Sequence, residues 1–175
     1  MIIRPAEEND AAGIAKVHVD SWRTTYKGIV PDTYLFETLT YESRLKNWQG
    51  NLSQGHVFVA EDEQQGIVGF ANGGKERSGK YPKHEGELYA IYILKDFQKK
   101  DIGRKLTERV VHHLVDNGIQ SMLVWVLQEN PSRYFYEKIG GTCVDAETIQ
   151  IGGKKFQELA YRWENLHQFQ GGRND

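Results

Sequence analysis

The sequence is poor in cysteine and contains no long apolar run. Cys143 is the only cysteine among the 175 residues, so no disulfide can form within the chain. We expect this thiol to fill a small apolar space in a strand. No apolar stretch approaches the roughly 20 residues of a membrane-spanning helix, and the start of the chain lacks the apolar core of a signal peptide. These absences predict a cytoplasmic protein.

A strong excess of charge of either sign is also missing. The chain carries 22 Lys and Arg against 24 Asp and Glu, which gives a formal net charge of −2 and argues against a dedicated nucleic-acid binder. The six histidines show no metal-binding spacing, so we expect no metal cofactor. The length, with no linker or internal repeat, predicts a single domain over residues 1–175, with a core to about residue 166 and a short polar tail.

Strand and helix patterns alternate along the chain. Short apolar runs bounded by turn residues predict strands, and apolar residues at helical spacing predict helices. The predicted strands cover residues 1–4, 57–60, 67–71, 88–94, 121–127, 147–151 and 156–163. A first predicted helix begins after Asn9 or Asp10, and others cover residues 41–48, 102–117 and 131–139. Residues 73–86 are expected to form a mobile loop, and the alternation predicts a mixed α/β sheet flanked by helices.

The most informative segment is residues 97–105, Phe-Gln-Lys-Lys-Asp-Ile-Gly-Arg-Lys, between a predicted strand and a predicted helix. At such a junction, backbone N–H groups and the positive end of the helix dipole point at one spot, which suits an anion such as phosphate. Four basic side chains flank the turn. A solvated basic connection would have the same composition, so a second motif adds weight. This is residues 130–141, Asn-Pro-Ser-Arg-Tyr-Phe-Tyr-Glu-Lys-Ile-Gly-Gly.

These two segments resemble the GNAT superfamily of acetyl-CoA-dependent N-acetyltransferases. Residues 98–103 match the family's phosphate-binding signature, except that Asp101 stands where the family usually has its first glycine. Residues 130–140 are similar to the Asn-x-x-x-x-Phe-Tyr-Glu-Lys-x-Gly segment after the fifth strand. The order of elements is similar from Met1 to about Trp163. The resemblance implies the acyl-CoA N-acyltransferase fold, a mixed, mostly antiparallel sheet splayed between strands 4 and 5.

The resemblance also implies acetyl-CoA as co-substrate and indicates which residues hold it. Strand 4 would pair with the pantetheine arm, the loop N–H groups would hold the pyrophosphate, and Asn130 would contact the arm where the sheet parts. Arg133 could reach a phosphate or remain solvated on its helix. The cofactor-binding candidates are Ile91, Tyr92, Ile93, Gln98, Lys99, Lys100, Asp101, Ile102, Gly103, Arg104, Lys105, Asn130 and Arg133.

Asp101 is the unusual member of this set. Aspartate tolerates the left-handed backbone conformation better than most residues, so the turn can form. Its negative charge beside a pyrophosphate is unfavourable and must be offset by the basic residues Lys99, Lys100, Arg104 and Lys105.

Two residues are candidates for proton transfer. By the resemblance, Tyr136 is the general acid that protonates the departing thiolate, and packing in the core beside Phe135 is the alternative. Glu87 could accept the amine proton from strand 4, where two-residue alternation places it on the face of Tyr89 and Ile91. The competitors for the role of base are Glu85, Tyr89 and His84.

The acceptor is expected to lie between the first helix and strand 5. The family uses this region as its acceptor groove, and Trp22 and Tyr26 share one helix face at a spacing of four residues. Trp125 could complete the wall, although Trp22 and Trp125 could equally be core aromatics. The substrate-binding candidates are Trp22, Tyr26, Tyr89 and Trp125.

The predicted function is acetyl transfer to a primary amine of a small molecule or peptide by direct attack. The acidic residues near the groove would suit a cationic amine. A different acyl donor or acceptor, or a non-catalytic acetyl-CoA-binding regulator, are the alternatives. No nucleic acid or membrane partner is expected, while the C-terminal hairpin could pair across a homodimer.

Overall fold

A seven-stranded sheet forms the centre of the molecule. The computed structural model describes residues 1–52, 56–82 and 85–169. The strands are β1 (Ile2–Pro5), β2 (Val57–Asp62), β3 (Gly66–Lys75), β4 (Glu85–Ile93), β5 (Ser121–Leu127), β6 (Thr142–Ile151) and β7 (Lys154–Trp163), in the order β1-β2-β3-β4-β5-β7-β6. The helices are α1 (Ala11–Thr25), α2 (Tyr41–Asn51), α3 (Ile102–Asp116) and α4 (Arg133–Lys138).

The sheet parts between β4 and β5, its one parallel pair in the described residues. These strands pair only over the first three residues of β4, from Glu85 to Glu87. β4 continues to Ile93 beside β3, and β5 continues to Leu127 beside β7. The mixed, mostly antiparallel sheet that splays between strands 4 and 5 is therefore confirmed.

A bulge in β4 changes the face on which its side chains lie. β3 and β4 slip by one residue, which leaves Tyr89 as an extra residue of β4. Leu88 and Ile91 consequently pack in the same core cluster beneath α3, although strict alternation would separate them. Glu87 and Ile91 therefore lie on opposite faces, and the prediction that they share one was wrong.

Helices cover both faces of the sheet, as their apolar spacing predicts. Val110 and Leu114 of α3 are buried against one face. Ile14 and Val17 of α1 are buried against the other face, which α2 also covers. The parting of β4 and β5 therefore lies between helices on both faces of the sheet.

Residues 73–86 do not form the single loop that was expected. β3 continues to Lys75 and β4 begins at Glu85. Gly73 lies within a strand, where a Cβ atom would come within 2.6 Å of the Val110 side chain. Glycine at this position thus permits the close approach of α3 to the sheet, which is a packing role and not a loop signal.

Two further elements differ from the sequence prediction. β6 begins earlier than predicted, at Thr142, and α4 begins later, at Arg133. Cys143 lies in a strand as predicted, but its side chain is exposed, so the expectation of a buried filler was wrong. Within the described ranges, no helix is long and apolar enough to cross a membrane, and no group of three or more His, Cys, Asp and Glu side chains is placed to hold a metal ion.

Candidate active site

A cleft of about 1020 Å³ opens where β4 and β5 part. The loop before α3 and the helix α4 flank it on one side, and the C-terminal turn of α1 borders it on the other. The predicted candidates that line it are Tyr26, Tyr89, Ile91, Tyr92, Ile93, Gln98, Lys99, Lys100, Asp101, Gly103, Arg104, Trp125, Asn130 and Tyr136. The structure thus brings residues from five elements, far apart in sequence, to one cavity.

The loop before α3 adopts left-handed backbone conformations at two residues. Lys99 has φ 60° and Asp101 has φ 63°. Asp101 is the N-cap residue of α3, and its carbonyl oxygen accepts a hydrogen bond from the Lys105 N–H in the first helical turn. The first N–H groups of a helix have no partner within the helix, so this turn offers donors to an anion in the cleft.

The Asp101 carboxylate is held by one of the four nearby cations. Arg104 donates from Nε to Oδ1 at 2.7 Å and from Nη2 to Oδ2, and its Nη1 also donates to Glu108. These hydrogen bonds from Arg104 hold the pKa of Asp101 below its ordinary value. Arg104 is therefore the residue that offsets the charge of Asp101, which leaves Lys99 and Lys100 exposed beside the cleft.

Gly103 marks the closest approach of α3 to α4. A Cβ atom at this position would lie 3.2 Å from the ring of Phe135 and 3.4 Å from the side chain of Ile93. Only a residue without a side chain leaves this contact unstrained. A side chain at this position would therefore press on Phe135 and Ile93 beside the cleft.

Tyr136 packs in the core and lines the cleft at the same time. Its ring is 5 % exposed and lies near the rings of Tyr161 and Trp163, with centroids 6.2 and 6.3 Å away. Burial raises the pKa of its hydroxyl well above the ordinary value, so the phenol keeps its proton at neutral pH. This one position is therefore compatible with both interpretations of Tyr136, as a core aromatic residue and as the general acid.

Asn130 ties α1 to the start of α4. Its Nδ2 donates to the Tyr26 hydroxyl at 2.9 Å, and its Oδ1 accepts from the Ser132 N–H at 2.8 Å. Asn130 and Tyr26 are both buried, and both line the cleft. The Asn130 amide is thus used within the protein to hold the cleft wall where the sheet parts.

The two candidate bases on β4 are each held by an arginine. Glu87 accepts from Arg77 at 2.6 and 3.2 Å, and Glu85 accepts from Arg162 at 2.9 and 3.0 Å. Both glutamates are buried, and neither lines the cleft. Arginine pairs with two hydrogen bonds hold both carboxylates, so proton transfer to either one requires its pair to open. The role of Glu87 as base stays a prediction. The third competitor, His84, lies outside the described residues.

Tyr89 is the remaining candidate for the general base, and its hydroxyl is already used in a hydrogen bond within the protein. Its hydroxyl donates to the carbonyl oxygen of Lys75 at 2.6 Å, and the Arg77 guanidinium lies over its ring at 4.3 Å. Tyr89 still lines the cleft. Its predicted place among the substrate-binding residues stays a prediction.

The cleft does not include every predicted residue. Trp22 packs against Tyr26 and Tyr34, and Ile102 is buried in the core beneath the sheet. Arg133 stacks on the ring of Tyr134, as a helix-surface residue would. The predicted residues that do not line the cleft are Trp22, Glu87, Ile102, Lys105 and Arg133.

Sequence reasoning missed the polar edge of α1 and part of α4. Ser21 and Thr25, which lie one helical turn apart, line the cleft beside Tyr26. Phe135 and Lys138 of α4 line its other side. The spacing of Ser21 and Thr25 was a usable signal, because it puts two hydroxyls on the helix edge next to the predicted aromatic face.

Comparisons with known proteins agree with this geometry. Residues 16–141 match the model of the acetyltransferase (GNAT) family. The chain is 40% identical over 164 residues to the uncharacterized N-acetyltransferase YuaI of Bacillus subtilis strain 168, covering 94% of this chain and 93% of that protein. It is 25% identical over 154 residues to the L-amino acid N-acyltransferase MnaT of Escherichia coli K12, covering 88% of this chain and 86% of that protein. Its fold is similar to that of yncA from Salmonella typhimurium with its cofactor acetyl-CoA, with a TM-score of 0.70 and 20% identity over 94% of this chain and 93% of that one.

Proposed function

Because the chain belongs to the acetyltransferase (GNAT) family and is an N-acetyltransferase, we propose that it moves the acetyl group of acetyl-CoA to a primary amine by direct attack, with Tyr136 as general acid. The observation that supports this most is the single cleft, which joins the α3 turn, the open edge of β4 and the Tyr136 side chain. The acceptor is a small molecule or a peptide.

The open edge of β4 supports the placement of the pantetheine arm. Beyond Glu87, β4 has no strand partner on its β5 side within the described residues, so this edge from Ile91 to Ile93 can pair with an extended amide chain. The Ile93 carbonyl oxygen already accepts a hydrogen bond from Gln98 Nε2 at 3.1 Å. A backbone N–H of this segment would polarise the thioester oxygen. Residues 98–105 would hold the pyrophosphate, at the N-terminus of a 15-residue helix.

The chemistry requires three proton movements. An alkyl ammonium group has a pKa of about 10.4, so it must lose a proton before attack at neutral pH. The amine nitrogen then bonds to the thioester carbon, the carbon–sulfur bond breaks, and the thiolate takes the proton of Tyr136. The acylated nitrogen loses its second proton, which restores the phenol. The buried phenol suits this role, because it is protonated at neutral pH and lies on the cleft wall.

The other proposals concern a homodimer, the absence of a metal cofactor and the cellular compartment. β6 forms one edge of the sheet, so its outer backbone groups are free of strand partners within the described residues. This supports the proposed homodimer through the C-terminal hairpin, which light scattering on the purified protein tests directly. No step of the proposed reaction needs a metal, and the single cysteine favours a reducing compartment such as the cytoplasm.

We expect the purified protein to release free coenzyme A from acetyl-CoA only when an accepted amine is present. A thiol-reactive dye would measure the release across polyamines, aminoglycosides, amino acids and peptides with free N-termini. Mass spectrometry of the product should show one added acetyl group. Tight acetyl-CoA binding without release for any amine would contradict the proposed activity and favour the regulator.

Replacing Asp101 by glycine is expected to keep or improve acetyl-CoA affinity. The change removes a negative charge near the phosphates, frees Arg104 from its pairing with Asp101, and puts glycine at a residue with φ 63°. Calorimetric titration would measure the Kd, with Asp101→Asn as a control that removes only the charge. A strong loss of affinity in both variants would show that the Asp101–Arg104 pair has a positive role in binding.

A further inference from the structure

The described residues include a half-buried carboxylate beside the cleft that forms no ion pair, that of Glu158 on β7. It lies directly opposite Leu127 of β5, on the face of the sheet that also carries Trp125. Trp125 is its diagonal neighbour in this pairing and lines the cleft. Within the described ranges, no lysine or arginine nitrogen lies within ion-pair distance of the Glu158 carboxylate.

The position of Glu158 is unfavourable for stability. Its direct cross-strand partner is Glu147, and like charges opposite each other destabilise an antiparallel pair. Lys80 is paired with Glu147, so it does not form an ion pair with Glu158. Burial raises the pKa of Glu158, and Glu147 and Glu87 raise it further against a lowering by Arg77. A residue that violates a local stability rule beside a cleft is a candidate for a functional role.

The groups around Glu158 belong to the acceptor side of the cleft. Tyr26 and Tyr92 both line the cleft. The pKa of each phenol is raised, mainly by burial, and the negative charge of Glu158 raises it further. Ser21 also lines the cleft, is 2 % exposed, and its Oγ has no hydrogen-bond partner within the described residues. A buried hydroxyl without a protein partner is uncommon in a folded protein, so the Ser21 Oγ is free to hydrogen-bond to water or to a ligand in the cleft.

Positive charge lines the opposite side of the same cleft. The basic lining residues all belong to the loop before α3, its first turn, or α4, and they are Lys99, Lys100, Arg104 and Lys138. Near Tyr89, the Arg77 guanidinium is already paired with Glu87. The phosphate side is therefore cationic, while the acceptor side presents hydroxyls and aromatic rings. Glu158 does not itself line the cleft, but it lies diagonal to Trp125, which does.

We propose that Glu158 binds the ammonium group of the acceptor, takes its proton before attack, and so favours amines with no carboxylate on the adjacent carbon. This inference rests on the proposed function. The ammonium proton passes to the Glu158 carboxylate, the freed lone pair forms the carbon–nitrogen bond as the carbon–sulfur bond breaks, and Tyr136 protonates the thiolate. The acylated nitrogen then loses its second proton, which restores the Tyr136 phenol and leaves the neutral amide. Glu158 then returns its proton to solvent. A carboxylate beside the amine would add a negative charge next to Glu158 and Glu147.

The test compares pentylamine with norleucine, which carries the same amine next to a carboxylate. We expect wild-type protein to prefer pentylamine by about tenfold or more in kcat/KM, as one uncompensated charge contact would give. Glu158→Gln should lower kcat/KM for pentylamine by about 10²-fold and narrow the preference between the two amines. The Kd for acetyl-CoA should not change, and the Tm should not fall, because a like-charge contact is removed.

Two control variants separate a role in the reaction from a role in the fold. Glu147→Gln removes the same charge from the directly opposite position and should keep pentylamine turnover near the wild-type value. Glu158→Asp keeps the charge and should recover part of the lost activity. If Glu158→Gln releases coenzyme A as fast as the wild type does, the proposed role of Glu158 is wrong, but the proposed function stands. The same conclusion follows if the wild type prefers norleucine. No amine-dependent release from the wild type would overturn the proposed function itself.

Discussion

Replacing Tyr136 by phenylalanine is expected to lower kcat by about 10²–10⁴-fold, the usual contribution of a general acid. Phenylalanine keeps the ring that packs near Tyr161 and Trp163, so the fold and the Kd for acetyl-CoA should change little. Only the hydroxyl that would protonate the thiolate is lost. Saturation kinetics with an accepted amine, calorimetric titration with acetyl-CoA and a melting curve would measure the three quantities.

Tyr161→Phe is the matched control for this experiment. Tyr161 is also a buried tyrosine, and its hydroxyl lies 2.7 Å from Glu137 Oε1 instead of lining the cleft. This variant should lose some stability, since a hydrogen bond is removed, and should keep its turnover number. Full turnover in a folded Tyr136→Phe protein would rule out the acid role and leave Tyr136 as a core aromatic.

Replacing Gly103 by glutamate should weaken acetyl-CoA binding by about 10²-fold or more. A tenfold change in Kd corresponds to about 1.4 kcal/mol, so this loss requires about 2.8 kcal/mol of binding free energy. A side chain here must displace Phe135 and Ile93, and its carboxylate would lie at the turn proposed to hold the pyrophosphate. The side chains of Phe135 and Ile93 are therefore the first groups that the new residue would meet.

Gly50→Glu provides the control for Gly103→Glu. Gly50 also lies in a helix, α2, and a Cβ atom there would meet nothing within 4 Å. The control carries the same change of size and charge, does not line the cleft, and should bind acetyl-CoA as the wild type does. Titration of both proteins at one ionic strength makes the comparison direct. Unchanged affinity in Gly103→Glu would remove residues 98–105 from the binding site.

The elements that depend on local pattern were predictable. β5 begins and ends as its apolar run indicates, and α3 follows its helical spacing from Ile102 and ends before Gly118, which has φ 78°. Gly152 and Gly153 both have positive φ at the turn between β6 and β7, as the dipeptide predicts. The order of these elements, with two motifs, was enough to indicate the family and the splayed sheet, because motif and periodicity are properties of neighbouring residues.

The choice among acidic residues was decided only by tertiary structure. Glu85 and Glu87 were the candidates on sequence, but Arg162 and Arg77 reach them across distances of 77 and 10 residues. The extra residue in β4 also reverses the alternation on which the placement of Glu87 was based. A slip of one residue between neighbouring strands depends on how both strands pack, and no local pattern in β4 encodes it.

The position of Glu158 beside the cleft was also not predictable from the sequence. In the sequence it is one of several charged residues in a C-terminal strand, with no motif around it. Its importance arises from the register that sets it opposite Glu147 and diagonal to Trp125. The sequence by itself determined the elements, their order and the family, since short-range steric and hydrophobic preferences specify them. Strand register and arginine pairing decided which carboxylate stays free, because long-range packing alone brings those charges together.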